Sequence, residues 1–166
     1  ALDLSGMGDS DHRDAYRMDT YALEAITAGR AGGAFEAGAP FMVGHSFGGF
    51  VALATAAEFG AELAGIAVLD SPIRPEREQR NSPPPSRGGS GYASPAEIAA
   101  SLKCRIALFR GADSSLVSDE VWDFMRETFG AGTTMVSIPD AKHHLILDQP
   151  IAVAAALEVL TGPGWG

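Results

Sequence analysis

Four short apolar runs recur along the chain, separated by stretches with helical character, and this alternation restricts the fold more than any other feature. The runs are residues 40–44 (PFMVG), 64–69 (AGIAVL), 104–109 (CRIALF) and 133–138 (TTMVSI). Each has the length of a β-strand. They are nearly continuous rather than alternating, as expected for strands covered by helices on both faces. Residues 1–4 (ALDL) read as the tail of a fifth strand. Between the runs, residues 14–30 carry Tyr16, Tyr21, Leu23 and Ile26 and are stopped by Gly32-Gly33, and residues 48–59 are rich in alanine. Residues 118–129 open with Ser118 as an N-cap and place Val121, Trp122, Met125 and Phe129 on one face. Residues 150–160 begin with proline at a helix-start position. Strands alternating with helices of this length predict an α/β class, a mainly parallel sheet flanked by helices.

One segment departs from the rhythm. Residues 72–95 hold Pro72, Pro75, Pro83, Pro84, Pro85 and Pro95 around a Gly/Ser tract. Proline fixes φ and removes a backbone donor, so residues 72–103 are expected to form an exposed, irregular excursion with one short helix at 95–102. With 166 residues, the chain reads as one domain over 1–166.

Composition narrows the function. Twelve Lys+Arg against 21 Asp+Glu give a net charge of −9, leaving no basic stripe to neutralise phosphates, so no nucleic-acid partner is expected. No apolar stretch approaches the ~20 residues of a membrane helix, and no charged leader precedes an apolar run. The expectation is a soluble, cytoplasmic protein. The single cysteine, Cys104, excludes an internal disulfide and a multi-cysteine zinc site. At the start of an apolar run it reads as packing.

The residues with chemical promise gather at turns. Gly44-His45-Ser46-Phe47-Gly48, followed by Gly49, stands between an apolar run and a helical stretch. A serine on a tight strand-to-helix turn needs strained backbone angles and small flanking residues. That turn lifts the hydroxyl above the sheet edge and lets the Phe47 N–H face a developing oxyanion. A serine hydroxyl is a weak nucleophile and requires a base, normally an imidazole oriented by a carboxylate. His12 lies among Asp9, Asp11, Arg13 and Asp14 and reads as solvated. His45 sits inside the turn and is expected to point away from Ser46. His143 and His144 follow the last apolar run, where such a fold places site residues. Adjacent histidines lack the i, i+4 spacing of two metal ligands on a helix, so no metal is expected. Gly6-Met7-Gly8 is only part of a dinucleotide fingerprint, and no cofactor is expected.

The turn, the opening Asp3-Leu4-Ser5-Gly6-Met7-Gly8-Asp9-Ser10 and the late His143-His144-Leu145-Ile146-Leu147-Asp148-Gln149-Pro150 together resemble the α/β-hydrolase superfamily in its serine-esterase-like branch. The resemblance covers most of the chain outside residues 72–100. It implies a truncated α/β-hydrolase fold with the Pro/Gly/Ser excursion at the cap position. The family histidine commonly stands seven positions before the proline opening the last helix, which singles out His143 over His144. Many members carry the acid in a G-x-x-D stretch after the seventh strand. Here that stretch is Gly111-Ala112-Asp113-Ser114, with serine at the acid position and Asp113 one residue early. Another branch places the acid after the sixth strand, where Asp70 stands in Val68-Leu69-Asp70-Ser71-Pro72. Asp70 is favoured, with Asp113 as the alternative.

The resemblance thus implies a serine hydrolase of small-molecule carboxylic esters, with Ser46 as nucleophile, His143 as base and Asp70 as acid. The alternatives are an acyltransferase or carbon–carbon hydrolase using the same residues, or a non-catalytic binding module. The family's first three strands have no counterpart in these residues. The expectation is that the chain belongs to a longer hydrolase with a missing N-terminal segment, or that its bare sheet edge is covered in a homo-oligomer.

Overall fold

A computed structural model describes residues 1–75 and 94–162. Four strands are present among them: β1 (Phe41–His45), β2 (Gly65–Leu69), β3 (Arg105–Gly111) and β4 (Thr134–Ile138). They form one sheet in the order β1-β2-β3-β4, and every neighbouring pair is parallel. Six α-helices accompany them: α1 (Met18–Ala31), α2 (Phe47–Phe59), α3 (Pro95–Ser101), α4 (Asp119–Phe129), α5 (Leu145–Asp148) and α6 (Pro150–Thr161). A 3₁₀ turn, Gly60–Glu62, leads from α2 towards β2. The expected α/β class with a parallel, helix-flanked sheet is therefore the observed one.

The apolar runs become strands because both of their faces find cover. Ile66, Val68, Ile106 and Leu108 point to one side, where they meet Leu53 and Ala56 of α2, Ile26 of α1, and Val121, Trp122 and Met125 of α4. Their neighbours Ala67, Leu69, Ala107 and Phe109 point to the other side and pack with Ile138, Leu145, and Val153 and Leu160 of α6. The period-2 alternation is real in the backbone but invisible in the residue types, since both sets are apolar. Helix α4 shows the opposite arrangement: Trp122 and Met125 are buried while its other face carries Asp119, Glu120 and Asp123. The Ser118 hydroxyl accepts the Val121 N–H, as an N-cap should.

Several local expectations are corrected. Residues 1–4 pair with no strand; Leu4 instead buries beside Tyr21 and Val51. A short apolar segment becomes a strand only where a neighbour offers a ladder, and among the described residues none stands outside β1. Helix α1 starts at Met18 rather than near residue 14, because Arg17 is extended (φ −130°, ψ 149°) and Tyr16 stacks on Tyr21 at 6.1 Å. At the described ends of the excursion, residues 72–75 are buried or half-buried, and the expected short helix stands at Pro95–Ser101. Ile73 is 4% exposed and joins the core, and α3 opens with a reciprocal capping box between Ser94 and Glu97. The Pro/Gly/Ser tract at residues 76–93 lies outside the described residues.

Among the described residues, no helix is long and apolar enough to cross a membrane. Cys104 is half-buried against the core, and burial pushes its thiol above the ordinary cysteine range. Phe109 of β3 is fully buried in the core on the α6 side of the sheet. Phe109→Ala is expected to lower stability by about 3–5 kcal/mol in urea denaturation, whereas trimming the half-exposed Val43 to alanine changes it by less than about 1 kcal/mol.

Candidate active site

The parallel sheet brings the C-terminal ends of its strands to one edge, and the candidate residues gather there. The ladder continues one residue past β1, β2 and β3: Ser46 N–H donates to Leu69 O (2.9 Å), Asp70 N–H to Phe109 O (2.9 Å) and Ala112 N–H to Ile138 O (2.8 Å). Ser46 and Asp70 are thus neighbours on adjacent strand ends. Both have left-handed backbones, at φ +53° and +48°, and Asp140 after β4 has φ +52°. Among the described residues these are the only non-glycine positions with positive φ. Each costs on the order of 1–3 kcal/mol, a strain that the surrounding structure must hold in place.

The turn from β1 into α2 shows why its flanking residues are small. A Cβ on Gly44 would lie 2.0 Å from Gly48 O, and one on Gly49 would lie 1.9 Å from Ser71 Oγ. The Ser71 hydroxyl fills that place, donating to Ser46 O at 2.7 Å. Ser46 stands immediately before α2 without spending its hydroxyl on capping the helix. Phe47 is the first helical residue, and an N–H there has no partner within the helix.

Asp70 is fully buried and has three donors. Gly111 N–H reaches Oδ1 at 3.0 Å; the Ser114 hydroxyl and His143 Nδ1 reach Oδ2 at 2.7 and 2.8 Å. Ser114 Oγ itself accepts the N–H groups of Leu116 and Val117, so its proton is directed at Asp70. A buried carboxylate without such partners is prohibitively costly. The donation from Nδ1 leaves the lone pair of His143 on Nε2.

The loop bearing His143 is pinned at several points. Ala141 O accepts Asp113 N–H at 2.9 Å, Asp148 Oδ2 accepts Lys142 N–H at 2.8 Å, and His143 O accepts His45 Nε2–H at 2.8 Å. The end of β3 packs under it so tightly that a Cβ on Gly111 would lie 2.3 Å from Lys142 O. Beside it lies a cleft of about 490 Å³ lined by Asp113, Ser115, Lys142, His143, His144 and Asp148.

The candidates separate accordingly. Asp70 and His143 are hydrogen-bonded, and Ser46 stands on the strand end next to Asp70. The Ser46 hydroxyl has no hydrogen bond to an imidazole among the described residues; such contacts are often long before substrate binds. Asp113 is exposed on the cleft and its carboxylate bonds neither histidine. His144 is exposed and has no carboxylate partner among the described residues. His12 is exposed and bonded to the Tyr16 hydroxyl at 2.7 Å. Sequence reasoning passed over Ser114, Gly111 and Ser71. For Ser114 a signal was available, since a hydroxyl at the position vacated by one acid can serve the acid on the next strand. Gly111→Ala is expected to destabilise the protein by about 1–3 kcal/mol in urea denaturation through overpacking against the loop, while Gly132→Ala, with open space around it, stays within about 0.5 kcal/mol.

Residues 1–131 match the model of the alpha/beta hydrolase family, a span that includes the Ser46 turn and Asp70 and ends before His143. No curated protein matches the chain. Among solved structures, a thermophilic esterase from Thermogutta terrifontis superposes with a TM-score of 0.75 at 21% identity, over 94% of this chain and 76% of its own. An E-2-(acetamidomethylene)succinate hydrolase gives 0.75 at 16%, over 94% and 78%. The N-acyl homoserine lactonase AidH, complexed with N-butanoyl homoserine, gives 0.74 at 17%, over 95% and 76%. At such identities the likeness is one of fold. Together with the family match, which covers well over half of the residues, it establishes that this chain belongs to the alpha/beta hydrolase family.

Proposed function

We propose that the protein is a serine hydrolase that cleaves carboxylic esters through an acyl-enzyme. One observation carries this reading above the others: the buried Asp70 carboxylate holds His143 by Nδ1 at 2.8 Å, on the strand end beside the strained Ser46. Serine at the turn, with an oriented imidazole on the same sheet edge, is the equipment of acyl transfer.

In this mechanism Ser46 Oγ attacks the ester carbonyl carbon as its proton passes to His143 Nε2. Asp70 keeps the imidazole in the tautomer whose Nε2 is free and stabilises the imidazolium that forms. Negative charge develops on the former carbonyl oxygen, which the Phe47 N–H and the N-terminus of α2 stabilise. The imidazolium returns the proton to the departing alkoxide, leaving Ser46 acylated. His143 then takes a proton from water as the hydroxide attacks the acyl carbon, and the imidazolium returns that proton to Ser46 Oγ as the acyl bond breaks, releasing the carboxylic acid and the free serine. Ser114 acts at one remove, by holding the Asp70 oxygen that faces the ring.

Labelling with a fluorophosphonate followed by peptide mapping tests the assignment. The adduct is expected on Ser46 and is expected to vanish in His143→Ala; an adduct elsewhere, or undiminished labelling in that variant, overturns the reading. Against a short-chain p-nitrophenyl ester, Ser46→Ala should lose about 10⁶-fold in kcat and Asp70→Asn about 10⁴-fold. Asp113→Asn should stay within about twofold of the parent, since a group outside the reacting assembly contributes little to the barrier.

A further inference from the structure

Two further imidazoles meet the proposed base, and the ester mechanism uses only one of the three. His45 ends β1; His143 and His144 precede α5. Their ring centroids are 4.8 Å (His45–His143), 5.5 Å (His45–His144) and 4.9 Å (His143–His144) apart. One ring nitrogen from each lies within 4.8 Å of the other two. In a tetrahedral zinc site, Zn–N bonds of about 2.0–2.1 Å set ligand nitrogens roughly 3.3 Å apart. The gap of about 1.5 Å is one that binding must close by turning the rings.

The surroundings suit the same purpose. Imidazoles that bind a metal usually donate their other ring N–H to a carboxylate or a backbone carbonyl, which fixes the tautomer and raises basicity. His143 donates from Nδ1 to Asp70, and His45 donates from Nε2 to the His143 carbonyl. Each of these two rings therefore keeps one nitrogen lone pair. His144 has no described hydrogen bond, is exposed, and borders the cleft, so its ring is free to complete the set. Three neutral nitrogen donors favour Zn²⁺, Cu²⁺ or Ni²⁺ over Ca²⁺ and Mg²⁺, which prefer oxygen. The net charge of −9 favours any cation.

We propose that His45, His143 and His144 form a site for a divalent transition-metal ion, and that Zn²⁺ bound there inhibits the enzyme. The lone pair on His143 Nε2 either bonds the ion or accepts the Ser46 proton; it cannot do both. The binding half stands on the three-imidazole geometry alone, and the inhibitory half rests on the proposed ester chemistry.

The test uses the full chain freed of metal with a chelator. Zn²⁺ affinity is measured by competition with a chromophoric chelator, Co²⁺ binding by its visible absorption, and ester hydrolysis across the same Zn²⁺ range. A single Zn²⁺ per chain, a four-coordinate Co²⁺ spectrum and a falling rate are expected. His45→Ala and His144→Ala should each weaken Zn²⁺ binding by at least about 100-fold, since losing even an outer partner of a ligand costs 10–100-fold. The half-inhibiting Zn²⁺ concentration, taken against each variant's own metal-free rate, should rise in step. His144→Gln serves as a second exposed variant, with circular dichroism checking the fold of each. Unchanged Zn²⁺ affinity in these variants, or Zn²⁺ that accelerates hydrolysis, overturns the proposal. Zn²⁺ binding lost in the variants, in a protein that cleaves no ester and takes up no fluorophosphonate, upholds the site and removes the hydrolase reading instead.

Discussion

A carboxylate with no exposed surface organises this sheet edge. Asp70 is built into the end of β2, and its charge is tolerable only because three separate segments deliver protons to it. Gly111 brings the end of β3, Ser114 the loop that follows it, and His143 the loop beyond β4. Removing one donor from a buried charge costs about 1–3 kcal/mol or more, so each contact discourages its segment from drifting. The carboxylate is therefore a structural junction first, and its ability to orient an imidazole follows from that.

The extent to which this was legible in the sequence differs from residue to residue, for physical reasons. The strands were readable because a run such as AGIAVL has no polar residue to offer a solvent face, so both faces must be covered. The register and order of the strands were not, since they depend on which helix covers which face. Gly44 and Gly49 announced the sharp turn because a backbone that crosses itself leaves no room for a Cβ. Residues 1–4 misled because apolar composition permits a strand without supplying its neighbour. Proline counting misled at residues 72–75, where Ile73 anchors an otherwise irregular stretch in the core.

The site was legible where chemistry demands a rare residue and illegible where a common one suffices. Asp70 stood out because a carboxylate ending an apolar strand needs a reason, and it now has an imidazole at hydrogen-bond distance. Ser114 has the residue type of any turn, and its place at the vacated acid position was the one hint that its hydroxyl points at the buried charge. His45 escaped for another reason. Its two companions lie about a hundred positions further along the chain, and the parallel pairing of all four strands carries them to the same end of the sheet. Clusters assembled by tertiary contact have no spacing rule.

The hydrogen bond from His45 to the carbonyl of His143 ties the residue just before the serine to the loop that presents the facing ring. The support of the proposed nucleophile and that of the imidazole are thus mechanically coupled. A body that wedges under residues 141–144 also tugs on the end of the first strand, so the Ser46 turn and the His143 loop respond together.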